Sequence, residues 1–465
     1  GAMSQKAKKI EAFFVFDPSK VPEGPKPSEE DYQDVKIIYY TPTYRTPEEK
    51  RSQCSMIEGL IGFAQPFCDD DALQCIRTDR HAFAVKECEP SVWMCIVVST
   101  PESSEASAEE DELLDATLLA NLKNLYEVFR LLHGTIESFV QRYSRQSLVD
   151  LLEDFVPAYL DTVDVEETGI FAQLDGIHYG PVERTTFLRI EQTLLRLQTK
   201  FPIINHVALL YKAHLIFTGI SLNDMNILYT YLVSFRGQVS NTKLNTAPFG
   251  RISTAASQPG GGSSSFGRAH LVGEEGFLFG RSRDPKKSNS SSSIFVPTVY
   301  LQDGGTAKLV ALMYHGIMVL CLIDASAPVD LKFLDELKAA LTQHDSEEEG
   351  MTLVELHPLI SQEFDTIMNE VEEYKFLYHN KSNHALRLSN NIATWGGPGN
   401  PKSAAMYHGW STMQQALQGS SGESFREINI KFGDKGWMVA KRSLERNFYL
   451  LLDDPRMSLS KCQEE

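Results

Sequence analysis

Two hydrophobic rhythms alternate along this chain, a period near two and a period near three and a half. The first run, Glu11-Ala12-Phe13-Phe14-Val15-Phe16-Asp17, predicts a short strand stopped by Pro18. A polar, Pro-rich connection is expected over residues 21–33. A second strand, Val35-Lys36-Ile37-Ile38-Tyr39-Tyr40, is closed by Pro42. Thr46-Pro47-Glu48-Glu49 carries the marks of a helix start: Thr46 as N-cap, Pro47 at the first helical position, Glu49 three residues after the cap. Met56, Leu60 and Phe63 follow at helical spacing. Leu60 and Phe63 are expected in the core. Residues 73–76 and 81–85 predict two further strands. Val92-Trp93-Met94-Cys95-Ile96-Val97-Val98 is continuously apolar, the mark of a central strand covered on both faces. After an acidic loop over 102–111, Leu114, Leu118, Leu122, Leu125, Phe129 and Leu132 form an amphipathic stripe that Gly134 ends. A second helical segment is predicted over 136–160.

A related plan then returns. Phe187, Leu188, Leu194, Leu195 and Leu197 mark a helix, followed by a hairpin over 207–211 and 215–217. Another helix holds Met225, Ile227, Leu228, Tyr231 and Leu232. Residues 237–293 are rich in Ser, Gly and Pro without periodicity and are expected to be a flexible insert. Within it, Phe249, Phe266 and Phe277-Leu278-Phe279 are isolated apolar points. They fit a solvated loop, and would otherwise touch a membrane or a partner. A hairpin over 309–313 and 317–323, turning at His315-Gly316, precedes helices that contain 331–337 and 356–371. A third round begins at 374–378, passes Gly396-Gly397-Pro398-Gly399 and a helix with Met406, Trp410, Met413 and Leu417, and ends in strands at 428–432, 437–440 and 447–452. No closing helices are visible after it. Helix and antiparallel strands thus recur three times. The fold class expected is α/β (α+β), with mainly antiparallel sheets flanked by helices. The boundaries expected are 8–165, 168–372 with the insert 237–293, and 373–465.

Composition agrees with several true cores: 465 residues, 42% hydrophobic and 23% charged. No apolar run is long enough to span a bilayer, and the basic start lacks the apolar core of a signal peptide. The formal charge of −18 argues against nucleic-acid binding and against unaided adhesion to an anionic membrane. The seven cysteines are odd in number and lack zinc spacing, which fits a reduced, cytoplasmic protein. Cys95 and Cys321 lie in apolar strands, where a free thiol acts as a small hydrophobe.

Motifs of covalent chemistry are missing. There is no phosphate loop of the Gly-x4-Gly-Lys-Ser/Thr type, no dinucleotide fingerprint, no His-Glu-x-x-His and no Gly-x-Ser-x-Gly elbow. Asp69-Asp70-Asp71 and Glu347-Glu348-Glu349 read as solvated charge runs without calcium-loop spacing. No cofactor and no metal are expected. Binding or scaffolding is the default, and a hydrolase lacks a visible nucleophile and base.

Several strings, in order along nearly the whole chain, resemble the Ccz family (calcium-caffeine-zinc sensitivity proteins). Ala12-Phe13-Phe14-Val15-Phe16-Asp17-Pro18, Lys36-Ile37-Ile38-Tyr39-Tyr40-Thr41-Pro42 and Trp93-Met94-Cys95-Ile96-Val97-Val98 resemble its first longin domain. Leu222-Asn223-Asp224-Met225-Asn226-Ile227-Leu228-Tyr229-Thr230-Tyr231-Leu232 and Val319-Leu320-Cys321-Leu322-Ile323-Asp324-Ala325-Ser326 resemble parts of its second. Trp437-Met438-Val439-Ala440-Lys441-Arg442-Ser443 resembles its C-terminal hairpin. The related subunit of the Hermansky–Pudlak group fits the string ending at Leu232 less well.

The resemblance implies three longin-like domains and a subunit that pairs with a Mon partner. The pair would be a guanine-nucleotide exchange factor for a Rab-seven-class GTPase in endosome maturation and late endosome/lysosome fusion. A third, β-propeller-containing subunit would join in animals, and the complex would be recruited peripherally to late-endosomal, lysosomal or vacuolar membranes. The alternative is a longin adaptor or tether without exchange activity. On the exchange-factor reading, the first helix and neighbouring strands form part of a platform for the GTPase. Its candidate residues, chosen by helix position, are Glu49, Arg51, Gln53 and Glu58.

Overall fold

The computed structural model describes residues 8–67, 73–100, 108–161, 163, 165, 176–235, 275–277, 279–280, 293–294, 296–344, 350–369, 375–389, 402–418, 426–431 and 436–452. Its elements begin β1 (Lys9–Phe16), α1 (Glu29–Lys36), β2 (Ile37–Thr41) and α2 (Pro47–Ala64). Next come β3 (Cys75–Arg77), β4 (His81–Glu89), β5 (Val92–Ser99), α3 (Ala108–His133), α4 (Ile136–Arg142) and α5 (Arg145–Leu160). The middle of the chain holds β6 (Ile177–His178), α6 (Arg184–Lys200), β7 (Ile204–Tyr211), β8 (His214–Thr218) and α7 (Leu222–Tyr229). It continues through β9 (Glu275–Phe277), β10 (Phe279–Gly280), β11 (Ser293–Ile294), β12 (Thr298–Tyr300), β13 (Thr306–Tyr314) and β14 (Ile317–Asp324). The remainder is α8 (Leu331–Thr342), α9 (Leu353–Met368), β15 (Lys375–Asn380), β16 (Ala385–Leu388), α10 (Lys402–Gln418), β17 (Glu427–Lys431), β18 (Trp437–Ser443) and β19 (Arg446–Leu452).

One strand order is used three times. The first sheet runs β2-β1-β5-β4-β3. In the second, β8-β7-β14-β13-β12 repeats that order, second-first-fifth-fourth-third by position along the chain. In the third, β16-β15-β19-β18-β17 repeats it again. All these pairings are antiparallel. Among the described residues, helix α2, α7 or α10 lies between the second strand and the third of each round. The mixed α/β architecture with antiparallel sheets and flanking helices is therefore the one expected, and the recurrence lies in the hydrogen bonding itself.

Packing explains the apolar runs. Alternate side chains of a strand point to opposite faces. On one face of the first sheet, Ala12, Phe14, Phe16, Phe83, Val85, Trp93, Cys95 and Val97 pack with Cys54 and Ile57 of α2. Their neighbours Phe13, Val15, Met94, Ile96 and Val98 are equally buried on the opposite face. Leu114, Leu118, Leu122 and Phe129 of α3 are buried, and the Phe129 ring meets Phe155 of α5 at 5.7 Å. The second sheet turns at Lys212-Ala213 and His315-Gly316. Both residues of each turn have positive φ, as two-residue hairpins of the mirror-image type require.

Four expectations need correction. The connection over 21–33 contains the start of a helix, α1, capped by Ser28, and β2 begins at Ile37 rather than Val35. The segment over 136–160 is two helices, broken at Tyr143 and Ser144, where Ser144 caps α5. Phe277 is no exposed anchor: β9 pairs with β13, and Phe277 lies in the second core. Phe63 is 70% exposed and Leu60 only half-buried, so neither is a true core residue. Most of the insert 237–293, the loop 396–399, the charge runs at 69–71 and 347–349, Cys68 and Cys462 lie outside the described residues.

The chain separates into two compact units. One holds the first sheet, α1, α2, α4, α5, most of α3 and most of α10. The other holds the second and third sheets with the remaining helices. In the second unit β6 extends the third sheet by pairing in parallel with β16, and Tyr179 bridges to Leu215 of the second sheet.

Candidate protein-docking face on the first unit

Helix α2 begins as its sequence dictates. The Thr46 hydroxyl accepts from Glu49 N at 3.3 Å, and Glu49 Oε2 accepts from Thr46 N at 2.8 Å. Pro47 opens the helix. Successive residues turn by about 100°. Cys54 and Ile57 face the sheet and are buried, with Ile61 packed beside them.

The four candidate residues are all engaged within the first unit. Glu49 closes the capping box, and the Thr46 backbone N–H and hydroxyl hold its carboxyl below the ordinary range. Gln53 Oε1 accepts from the Tyr40 hydroxyl at 2.6 Å, tying α2 to β2. Arg51 reaches Glu30 at 3.1 Å and Asp34 at 3.0 Å on α1. Glu58 meets Lys36 Nζ at 2.6 Å. The structure thus sets Arg51 and Glu58 against α1, Gln53 against the sheet and Glu49 against the helix start.

Past its first two turns, where Glu48, Glu49 and Ser52 are exposed, α2 turns a row of apolar side chains outward. Met56 is 39%, Phe63 70% and Phe67 76% exposed, and the Phe63 and Phe67 rings lie 5.4 Å apart. Half-buried Leu60 falls in the same row. Gly59 and Gly62 flank it, and a Cβ at either would meet nothing within 4 Å. The backbone is bare there, so another chain can approach closely. A row of large apolar groups beside bare backbone fits contact with a second protein surface. The sequence did hold a signal for it. Cys54, Ile57 and Ile61 form one apolar stripe, and Met56, Leu60, Phe63 and Phe67 form a second. One helix lying on a sheet buries only one.

The described cysteines are held as thiols. Burial pushes the Cys54 thiol up to about 12, with Glu58 acting in the same direction. Burial likewise raises Cys75, Cys88 and Cys321 to about 12. Such thiols stay protonated and serve as small apolar fillers. Among the described residues no group of three His, Cys, Asp or Glu side chains could hold a metal ion. No described helix is long and apolar enough to cross a membrane.

Comparison with known proteins agrees with this architecture. Residues 10–134 match the family model for the first longin domain of INTU, CCZ1 and HPS4. Beyond that segment the similarity continues. A vacuolar fusion protein CCZ1 homolog of Xenopus tropicalis is 24% identical over 98% of this chain and 93% of its own length. Over nearly its whole length the chain is similar to Ccz-family proteins. Similar relatives of the same name occur in Nematostella vectensis, 25% identical over 97% of this chain and 94% of the relative, and in Dictyostelium discoideum, 24% identical over 97% and 94%. The matched longin segment takes in β1 from residue 10, β2 to β5 and all of α2. The candidate docking face therefore lies within the segment that matches a longin domain.

Proposed function

We propose that this chain is one subunit of a heterodimeric guanine-nucleotide exchange factor for a Rab-seven-class GTPase. Its partner is a Mon-type longin subunit, and in animals a β-propeller-containing subunit joins the pair. The complex acts in endosome maturation and late endosome/lysosome fusion, recruited to late-endosomal, lysosomal or vacuolar membranes. The formal charge of −18 disfavours unaided adhesion to anionic lipid, so recruitment runs through the assembled complex.

The observation that carries this reading is the outward row Met56, Leu60, Phe63 and Phe67 on a first longin domain. Relatives named as vacuolar fusion proteins, matched over nearly their whole length, support the trafficking role. Exchange needs no covalent step. A platform that binds the nucleotide-free GTPase more tightly than the nucleotide-bound form lowers nucleotide affinity by the same factor. A chain whose Glu49, Arg51, Gln53 and Glu58 are engaged internally offers little of its own to do this alone. Pairing through the apolar row would complete the platform.

The test is release of a fluorescent guanine nucleotide from the GTPase with this chain, the Mon-type subunit, or both. Acceleration by both together and by neither alone is expected. A stable pair without acceleration would replace this reading with that of a longin adaptor.

A further inference from the structure

Helix α1 is held to the first unit in an unusual way. None of its eight residues is buried. A helix this short is marginal without tertiary support. Its own support is the box in which Ser28 N donates to Asp31 Oδ2 at 2.8 Å and Asp31 N donates to Ser28 Oγ at 3.2 Å. Its hold on α2 is ionic: Arg51 to Glu30 at 3.1 Å, Arg51 to Asp34 at 3.0 Å, and Lys36 to Glu58 at 2.6 Å.

The geometry of its ends is that of a hinged flap. Asp17 N donates to Lys36 O at 2.8 Å, so residues 18–36 leave and return at one point. Arg145 Nη2 donates to Val35 O at 2.6 Å and Ile37 O at 2.7 Å, fixing the C-terminal end. The N-terminal end is reached through Pro18, Pro22, Gly24, Pro25 and Pro27. On the helical wheel of α2, Arg51 and Glu58 fall on one flank. Ser55, Gly59 and Gly62 lie between that flank and the apolar row.

We propose that α1 is a charge-latched strap that opens to add Arg51 to the outward face of α2. Glu30 and Asp34 stand in for carboxylates of an incoming protein surface, acidic where it meets Arg51 and apolar where it meets the row. This rests on the reading of α2 as a docking face. Exposed ion pairs are weak, so the closed strap is favoured only modestly. A partner that needs the open form binds with an affinity reduced by the open fraction. Loosening the latch therefore raises strap opening and partner association by the same factor.

The experiment compares the full chain with the double variant Glu30→Gln, Asp34→Asn, which keeps the Ser28 box intact. Hydrogen exchange of amides 29–36 is measured in the chain alone at low and high salt, with amides 92–99 as the folding control. Association with the purified partner subunit is measured in parallel. The expected result is exchange at 29–36 faster by roughly 2- to 30-fold, the range for losing two exposed ion pairs. High salt should reproduce it in the parent chain, and association should rise in proportion. Exchange indifferent to both substitution and salt overturns the strap. So does faster exchange with unchanged or slower association, since α1 would then be part of the platform. A partner that binds neither parent nor variant contradicts the exchange-factor reading instead, and the amide measurement on the chain alone still decides whether the strap is latched by charge.

Discussion

Phe63 and Phe67 lie with ring centroids 5.4 Å apart and planes tilted by 49°, and both are mostly exposed. Neither ring supports the sheet beneath. The double variant Phe63→Asp, Phe67→Asp should therefore keep its stability to within ~0.5 kcal/mol in urea unfolding, as exposed sites usually do. Binding of the partner subunit should weaken by about 30-fold or more, the loss typical of an aromatic hot spot. Isothermal titration with the purified partner measures it. Loss of stability with binding retained would return these rings to the core.

Glu89 organises the start of α4. Its carboxylate accepts from the Tyr126 hydroxyl at 2.8 Å, Ile136 N at 2.5 Å and Glu137 N at 3.2 Å. Burial, with Glu89 beside it, pushes the Tyr126 phenol far above its ordinary range, so it remains a donor at any working pH. Glu89→Ala should cost roughly 1–3 kcal/mol in urea unfolding. Tyr126→Phe should cost about 1 kcal/mol, and the pair should be non-additive. Additive losses would show that the two groups act independently.

The second unit should weaken in mild acid. His178 is buried and its ring lies 5.9 Å from His214. Burial first, and the His214 ring second, bring its pKa down from 6.5 to about 3. Burial also lowers His214. The unfolded chain then binds more protons than the native one below pH 6.5. Stability present above pH 6.5 is lost as pH falls toward 3, at up to about 1.4 kcal/mol per pH unit for His178. His178→Leu should flatten this slope between pH 6.5 and 4.5 in urea titrations. An unchanged slope would place the loss elsewhere.

Gly176 precedes the strand that joins β16. A Cβ there would lie 2.7 Å from Leu386 Cβ and 3.2 Å from His384 O. Gly176→Ala should cost roughly 1–3 kcal/mol through the forced shift. Amide exchange at Ile177, whose N–H donates to His384 O at 2.6 Å, should speed up. Full protection at Ile177 in the variant would show that the contact relaxes without cost.

Much of this fold was legible in the residues. The run from Val92 to Val98 reads as a doubly covered strand because seven consecutive apolar side chains leave no solvent face. Thr46, Pro47 and Glu49 place the start of α2, and His315-Gly316 places a hairpin turn. Helix α1 escaped because Glu29-Glu30-Asp31-Tyr32-Gln33-Asp34-Val35-Lys36 has no apolar stripe; its signal was the Ser28 and Asp31 box alone. Strands β6 and β9, of two and three residues, are too short to show a period. The repeated strand order depends on pairings far apart in the chain, such as Phe14 with Cys95, which local pattern does not encode. At the candidate docking face, spacing located α2 and its polar residues. It did not show which of two apolar stripes faces the sheet, because packing against Ala12, Phe14 and Trp93 makes that choice.

The most direct measurement is release of a fluorescent guanine nucleotide from a Rab-seven-class GTPase, driven by the Mon-type subunit paired with this chain or with its Phe63→Asp, Phe67→Asp variant. The account predicts acceleration by the parent pair, none by either subunit alone, and loss of most of that acceleration with the folded variant at equal concentration. No acceleration by an intact parent pair would contradict it.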